Sequence, residues 1–197
     1  MAVTGPLACG KSTFVRMLGE MGADTVSADE IVHDLLATDE ETISRVTERY
    51  GDDVLDERGI DRRALGSKVF GNPEALRDLE EILHPLVRRE TQRRVAASAA
   101  ALFVAEVPLL FEGERGGDFD YTVAVVVPEE RRLAWAARRG VEEEALRAIE
   151  ARQLGQEEKA RRADVVVQND GTLDKLREQA EKLWKRSLDG SVRRQEE

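Results

Sequence analysis

Residues 5 to 12 read Gly5-Pro6-Leu7-Ala8-Cys9-Gly10-Lys11-Ser12: a glycine, four free positions, then glycine, lysine and a hydroxyl. That spacing handles phosphate. Gly10 lets the backbone come close to phosphate oxygens, successive amides converge on them, and a helix opening at Ser12 turns its positive end toward the anion. Lys11 is then placed to bridge the outer phosphates of a nucleoside triphosphate, and the Ser12 hydroxyl to hold Mg2+. Pro6 and Ala8 occupy free positions where a glycine would give more latitude, which predicts a loop held in shape, with one donor removed at Pro6. Cys9 has two readings: a thiol whose pKa is lowered beside phosphate-directed amides, or a small side chain that fits.

Phosphoryl transfer also needs a group to take the acceptor's proton and charge to neutralise the transferring phosphate. Asp29 fits the first role, with an N-cap for the following helix as its alternative. Glu106 follows an apolar run, where a carboxylate can hold the metal or its water; a solvated strand end is the competing reading. Positive charge gathers in Arg131, Arg132, Arg138, Arg139, Arg152, Lys159, Arg161 and Arg162. Such a stretch can close over phosphates as a lid, but Glu142, Glu143 and Glu144 lie within it, so a solvated, salt-bridged helix pair competes, and for any single arginine surface decoration is the favoured reading. His84, before Pro85 in an apolar context, reads as a partly buried histidine. His33 reads as structural, and Trp135 and Trp184 as packing residues.

These groups need elements to position them. Met1-Ala2-Val3-Thr4 is a short strand before the loop, its brevity pointing to a start a few residues upstream, and Thr13 to Leu18 continues as an amphipathic helix. Thr25-Val26-Ser27 makes a second strand. Helical periodicity from Glu30 to about Ala100 predicts an all-helical insertion, broken at Gly51-Asp52-Asp53, Glu57-Arg58-Gly59, Gly71-Asn72-Pro73 and His84-Pro85. Strands return at Leu102–Ala105, Tyr121–Val127 and Asp164–Val167, apolar without alternation as buried parallel strands are. A basic helical stretch spans Glu129 to Arg162, a helix spans Thr172 to about Ser187, and Val192 to Glu197 reads as a frayed tail. The expected fold is α/β: a three-layer phosphate-loop fold with a five-stranded parallel sheet, whose ligands bind at the carboxyl ends of the strands.

Composition sets bounds. A chain of 197 residues accommodates one domain with sub-lobes. A formal charge of −10 argues against nucleic acid as a partner, because binding its backbone wants a basic surface. No apolar run approaches the roughly 18 residues needed to span a membrane. A single Cys excludes an internal disulfide and, with no signal peptide in view, predicts a cytoplasmic protein, monomeric or a weak homo-oligomer.

In combination and order, the chain resembles the dephospho-CoA kinase family from Val3 to about Leu183. The motifs are Thr4-Gly5 to Ser12-Thr13, Ser27-Ala28-Asp29, Gly59-Ile60-Asp61-Arg62, Leu83-His84-Pro85-Leu86, Val107-Pro108-Leu109-Leu110-Phe111-Glu112, and Ala163-Asp164 with Asn169-Asp170-Gly171. The resemblance implies ATP-dependent phosphorylation of the ribose 3′-hydroxyl of dephospho-CoA, with Mg2+. It implies a core of residues 1–28, 101–128 and 163–197, a helical CoA-binding lobe over 29–100 and a lid over 129–162. Carried over by motif, Asp29 matches the catalytic aspartate, assisted by Lys11 and Arg138. ATP contacts fall to Ala8, Cys9, Gly10, Lys11, Ser12, Thr13, Arg138, Asn169 and Gly171. Arg62, His84 and Leu109 join Asp29 on the acceptor side, and Ser12 with Glu106 holds the metal. Ser27 departs from the family's usual aspartate and removes one negative charge.

Two other classes compete. A nucleoside monophosphate kinase would need a smaller acceptor lobe than the stretch between Asp29 and Ala100. A GTP-driven switch would carry an Asn-Lys-x-Asp motif, which the sequence lacks.

Overall fold

The computed structural model describes residues 1–151 and 153–192; Arg152 and the tail from 193 to 197 lie outside the described residues. In chain order the elements are β1 (Ala2–Thr4), α1 (Lys11–Glu20), β2 (Asp24–Ser27), α2 (Ala28–Thr38), α3 (Glu40–Tyr50), β3 (Leu55–Asp56), β4 (Gly59–Ile60), α4 (Arg62–Val69) and α5 (Pro73–Ala97). Then follow β5 (Phe103–Glu106), β6 (Thr122–Val126), α6 (Glu129–Arg138), α7 (Glu143–Glu150), α8 (Gln156–Arg162), β7 (Val165–Gln168) and α9 (Leu173–Leu188). They form two compact units: Met1–Val26 with the chain from Ser98 onward, and Ser27–Ala97.

The first unit is built on a five-stranded parallel sheet of order β2-β5-β1-β6-β7. β1 is central: Val3 lies beside Glu106 of β5 on one side and Val123 of β6 on the other. All of β1 and β6 is buried, as strands covered on both faces must be. The chain leaves β1 between neighbours on opposite sides, and the loop that follows occupies the crevice at the strand ends where such sheets take ligands. Phe14, Val15, Met17 and Leu18 of α1 share a core cluster with Val104, Val123, Val125 and with Leu176, Ala180 and Leu183 of α9. Val192, expected in the frayed tail, packs against this cluster. Strand and helix ends otherwise differ from the sequence reading by about a residue; Glu106, for example, closes β5 rather than following it.

The second unit has its own core, centred on Val46, Tyr50, Val54, Ile60, Leu65 and Val69. Two expectations for this stretch are overturned. It is not all helical: β3 and β4 pair antiparallel, Leu55 with Ile60 and Asp56 with Gly59, around a turn in which Asp56 Oδ1 accepts the Arg58 N–H at 2.6 Å. Nor does the chain break at His84-Pro85, because α5 runs through both. An interior proline costs a helix about 3 kcal/mol. Leu83, Leu86 and Val87 flank it in the same helix and are buried, each contributing about 1.5–3 kcal/mol, so packing outweighs the lost bond.

Candidate active site

The phosphate loop is fixed by close approaches. Gly5 has φ 146°, and a Cβ there would lie 2.4 Å from the Val125 carbonyl and 2.8 Å from Cys9 Sγ. Gly10 caps α1 at φ 96°, where a Cβ would meet Asn169 Nδ2 at 2.3 Å. Ala8 adopts φ 59°, a left-handed conformation that costs a residue with a Cβ about 1–2 kcal/mol. Its methyl is buried with Ala136 and Leu146, and Leu7, Leu133 and Val141 pack around them, so the loop's free positions dock the helices α6 and α7. Lys11 curls over the loop and donates to the carbonyls of Gly5 at 3.0 Å and Pro6 at 2.9 Å. Cys9 is fully buried, and burial pushes its thiol pKa up against the opposing pull of Lys11. The lowered-pKa reading of Cys9 is therefore overturned; its role is packing against Gly5.

Ser12 and Glu106 come together: Ser12 Oγ donates to Glu106 Oε1 at 3.0 Å. Hard oxygens from a hydroxyl and a carboxylate suit Mg2+, which keeps several waters and is held by one or two protein groups plus phosphates. Among the described residues there is no group of three or more His, Cys, Asp or Glu that could hold a metal ion.

A cavity of about 410 Å³ opens beside the loop. Gly10 and Thr13 line one side, Trp135, Arg138 and Arg139 another, and Asn169, Gly171, Thr172 and Leu173 the remainder. Asn169 is buried and fastens this wall to the loop: its N–H donates to the Val126 carbonyl at 2.7 Å and its Nδ2 to the Cys9 carbonyl at 2.9 Å. Arg131 Nη1 donates to the Gly171 carbonyl at 2.5 Å. Trp135 packs as its helical spacing predicts and also stands in the cavity wall, a place that the packing role does not anticipate. A signal existed in its spacing of three and four residues from Arg138 and Arg139, one helix face.

The basic stretch divides by environment. Arg138 and Arg139 are exposed at the cavity, Arg161 and Arg162 pair with Glu158 on the surface, and Arg132 is buried against Glu150. Lys159 is wholly buried. Its ammonium meets Glu112 Oε1 at 2.9 Å and the Pro108 carbonyl at 2.6 Å, and burial pulls its pKa below the ordinary lysine value although Glu112 opposes the shift. Surface decoration, the favoured reading for any single arginine of the stretch, is wrong for Arg132, and Lys159 does not belong to a solvated face either. Pro108 O also accepts from Thr4 Oγ1 at 3.2 Å, and Glu112 Oε1 from the Leu154 N–H at 2.8 Å. The turn carrying Leu109, which is 37% exposed, is thereby tied to β1 and to α8. Asp164 acts at the opposite strand ends, where its Oδ2 accepts from Thr122 N and Oγ1 at 2.7 and 2.8 Å.

In the second unit, Asp29 is not the helix cap. Ser27 takes that place: its Oγ accepts the Asp29 N–H at 3.2 Å, and Glu30 Oε2 accepts the Ser27 N–H at 3.3 Å. This reciprocal box leaves the Asp29 carboxylate exposed in the first turn of α2. Asp61 caps α4 by accepting from the N–H groups of Arg63 and Ala64, and Arg62 then lies 3.4 Å through Nη1 from His33 Nδ1. Both histidines are exposed, which overturns the partly buried reading of His84, and His33 has Arg62 as a polar partner. The candidate residues thus divide: Ser12, Glu106, Arg138, Asn169 and Gly171 belong to the first unit, Asp29, Arg62 and His84 to the second.

The family described as dephospho-CoA kinase matches residues 1–175. A dephospho-CoA kinase of Protochlamydia amoebophila is 39% identical over 190 residues, covering 93% of this chain and 94% of that protein. The crystal structure of TT1252 from Thermus thermophilus superposes with a TM-score of 0.81 at 32% identity, over 93% of this chain and 95% of that one. Dephospho-CoA kinase from Campylobacter jejuni gives 0.71 at 29% identity, over 96% and 97%.

Proposed function

The chain belongs to the dephospho-CoA kinase family, and on that premise we propose how its own residues divide the work of phosphorylating dephospho-CoA with ATP. The loop amides and Lys11 hold the outer phosphates. Arg138 adds positive charge where negative charge spreads in the transition state. Ser12 and Glu106 hold the nucleotide's divalent ion, which we take to be Mg2+; when bound it neutralises charge on the phosphates. Asp29 accepts the proton of the ribose 3′-hydroxyl as that oxygen bonds to the γ-phosphorus and the bond from phosphorus to the β,γ-bridging oxygen breaks, leaving coenzyme A and ADP. Residues 29–100, with Arg62 and His84, together with Leu109 of the 107–112 turn, take the acceptor, and residues 129–162 act as the lid.

The observation that carries this reading is the cavity shared by Gly10, Thr13, Arg138, Asn169 and Gly171, which suits one nucleotide. Its experiment is ADP release by the purified chain with dephospho-CoA, AMP or CMP as acceptor. Acceleration by dephospho-CoA alone is expected; none would end the assignment. Asp29→Asn retains ATP affinity and loses at least about 100-fold in kcat, the usual contribution of a general base. Turnover near the parent rate would remove Asp29 from that role.

A further inference from the structure

The cavity beside the phosphate loop has walls of two chemical kinds. Gly10, Thr13 and Arg138 suit an anion, whereas Trp135 and Leu173 are apolar. Leu173 is 65% exposed although it opens α9, and Trp135 is half-buried. A triphosphate has no use for either. The placing of Trp135 is also constrained: on α6 its neighbours Arg132 and Ala136 are buried, Arg132 against Glu150. Trp135 itself packs both on the sheet core and on the cluster of Ala8, Ala136 and Leu146. An indole held from behind by two apolar clusters presents its remaining surface to the cavity in a fixed pose, at little entropic cost on binding.

Resting on the ATP-site reading above, we propose that Trp135 is the stacking platform for the nucleobase of the phosphoryl donor, with Leu173 as the apolar wall beside it. Stacking depends on π-surface rather than on hydrogen-bond pattern, so Trp135 selects purine over pyrimidine triphosphates by contact area. One base on one aromatic ring is worth roughly 10-fold in affinity.

The chain has two tryptophans, and Trp184 packs against the sheet core, so Trp184→Phe isolates the signal of Trp135. In that background, with magnesium present, titration with ATP quenches the fluorescence while inorganic tripolyphosphate binds, by calorimetry, without changing it. Trp135→Leu keeps the packing and loses the platform. It weakens ATP about 10-fold, leaves tripolyphosphate within about 2-fold and erases the preference for ATP over CTP. Trp135→Phe restores ATP binding to within about 3-fold. The proposal is overturned if ATP leaves Trp135 emission unchanged, if Trp135→Leu binds ATP like the parent, or if both ligands weaken together, as a purely structural role requires. Failure of the parent to bind either ligand would overturn the donor-site reading, and this proposal with it.

Discussion

Glu112→Leu gives the sharpest test of how the site is held. Lys159 is enclosed, with Glu112 Oε1 at 2.9 Å and the Pro108 carbonyl at 2.6 Å as its partners. Removing Glu112 leaves a buried ammonium with one carbonyl. Removing Lys159 instead leaves Glu112, whose side chain is 17% exposed and whose Oε1 still accepts the Leu154 N–H, although its Oε2 is buried without a hydrogen-bond partner. Breaking a buried pair from its worse-solvated side costs about 3–5 kcal/mol, whereas Lys159→Met costs about 1–3 kcal/mol. In a chain of this size each kcal/mol moves Tm by about 2–4 °C. Glu112→Leu should then melt about 6–20 °C below the parent, and Lys159→Met about 2–12 °C below it. The double variant recovers most of the loss, since an apolar pair replaces the charges without their desolvation. Burial already lowers the pKa of Lys159, and losing Glu112 removes the principal upward pull. The folded state of Glu112→Leu then binds this proton less readily than the unfolded state does. Its deficit must shrink as pH rises from about 7 toward the ordinary lysine pKa near 10.4. Urea unfolding of the four proteins at several pH values checks this. A deficit under about 1 kcal/mol, a larger loss for Lys159→Met, or a deficit flat with pH would refute the reasoning.

Three further outcomes are expected. Ala8→Gly relieves about 1–2 kcal/mol of left-handed strain but loses a buried methyl worth about 0.8 kcal/mol and about 0.4–1 kcal/mol of unfolded-state restriction. Its unfolding free energy should stay within about 1 kcal/mol of the parent, and a fall beyond about 2 kcal/mol would show that the methyl's docking outweighs the strain. Asn169→Ala strands the Cys9 carbonyl at a cost of about 1–3 kcal/mol; calorimetry should show weaker ATP binding together with a lower Tm, and no change in either would contradict the fastening role. Hydrogen bonds from Arg93 first, then Arg94, hold Glu90 down to about 2. Its stabilisation is full above the unfolded carboxylate pKa near 4.3 and is lost as pH falls through about 2. Glu90→Gln should therefore be the less stable protein at pH 6 and converge with the parent by about pH 2, which denaturation at stepped pH measures.

Hydrophobic runs and loop spacing made the sheet legible, because a strand buried on both faces has few sequence alternatives and a phosphate loop must follow one. Other features escaped for physical reasons. Lys159 and Arg132 look like surface cations until the distant Glu112 and Glu150 are brought to them, and helical spacing does not announce either partner. Pro85 signals a break locally but is overruled by the packing of its neighbours. Asp29 and Ser27 compete for one cap by chemistry alone, and the reciprocal bond of Glu30 decides it. Trp135 belongs to a packed face and to a cavity at once, and only the arrival of the 169–173 segment across from it reveals the second role.

The central place of β1 has a consequence for synthesis. Its partners, β5 and β6, begin at residues 103 and 122, so β1, once out of the ribosome, waits for about a hundred more residues before either neighbour exists. At about 5–20 residues per second that wait lasts roughly 5–20 s. Meanwhile the unit of residues 27–97, contiguous and with its own core, is complete. Assembly is therefore ordered by position along the message: the inserted lobe precedes the sheet, and the phosphate loop gains its shape only when β6, and then Asn169, have been made.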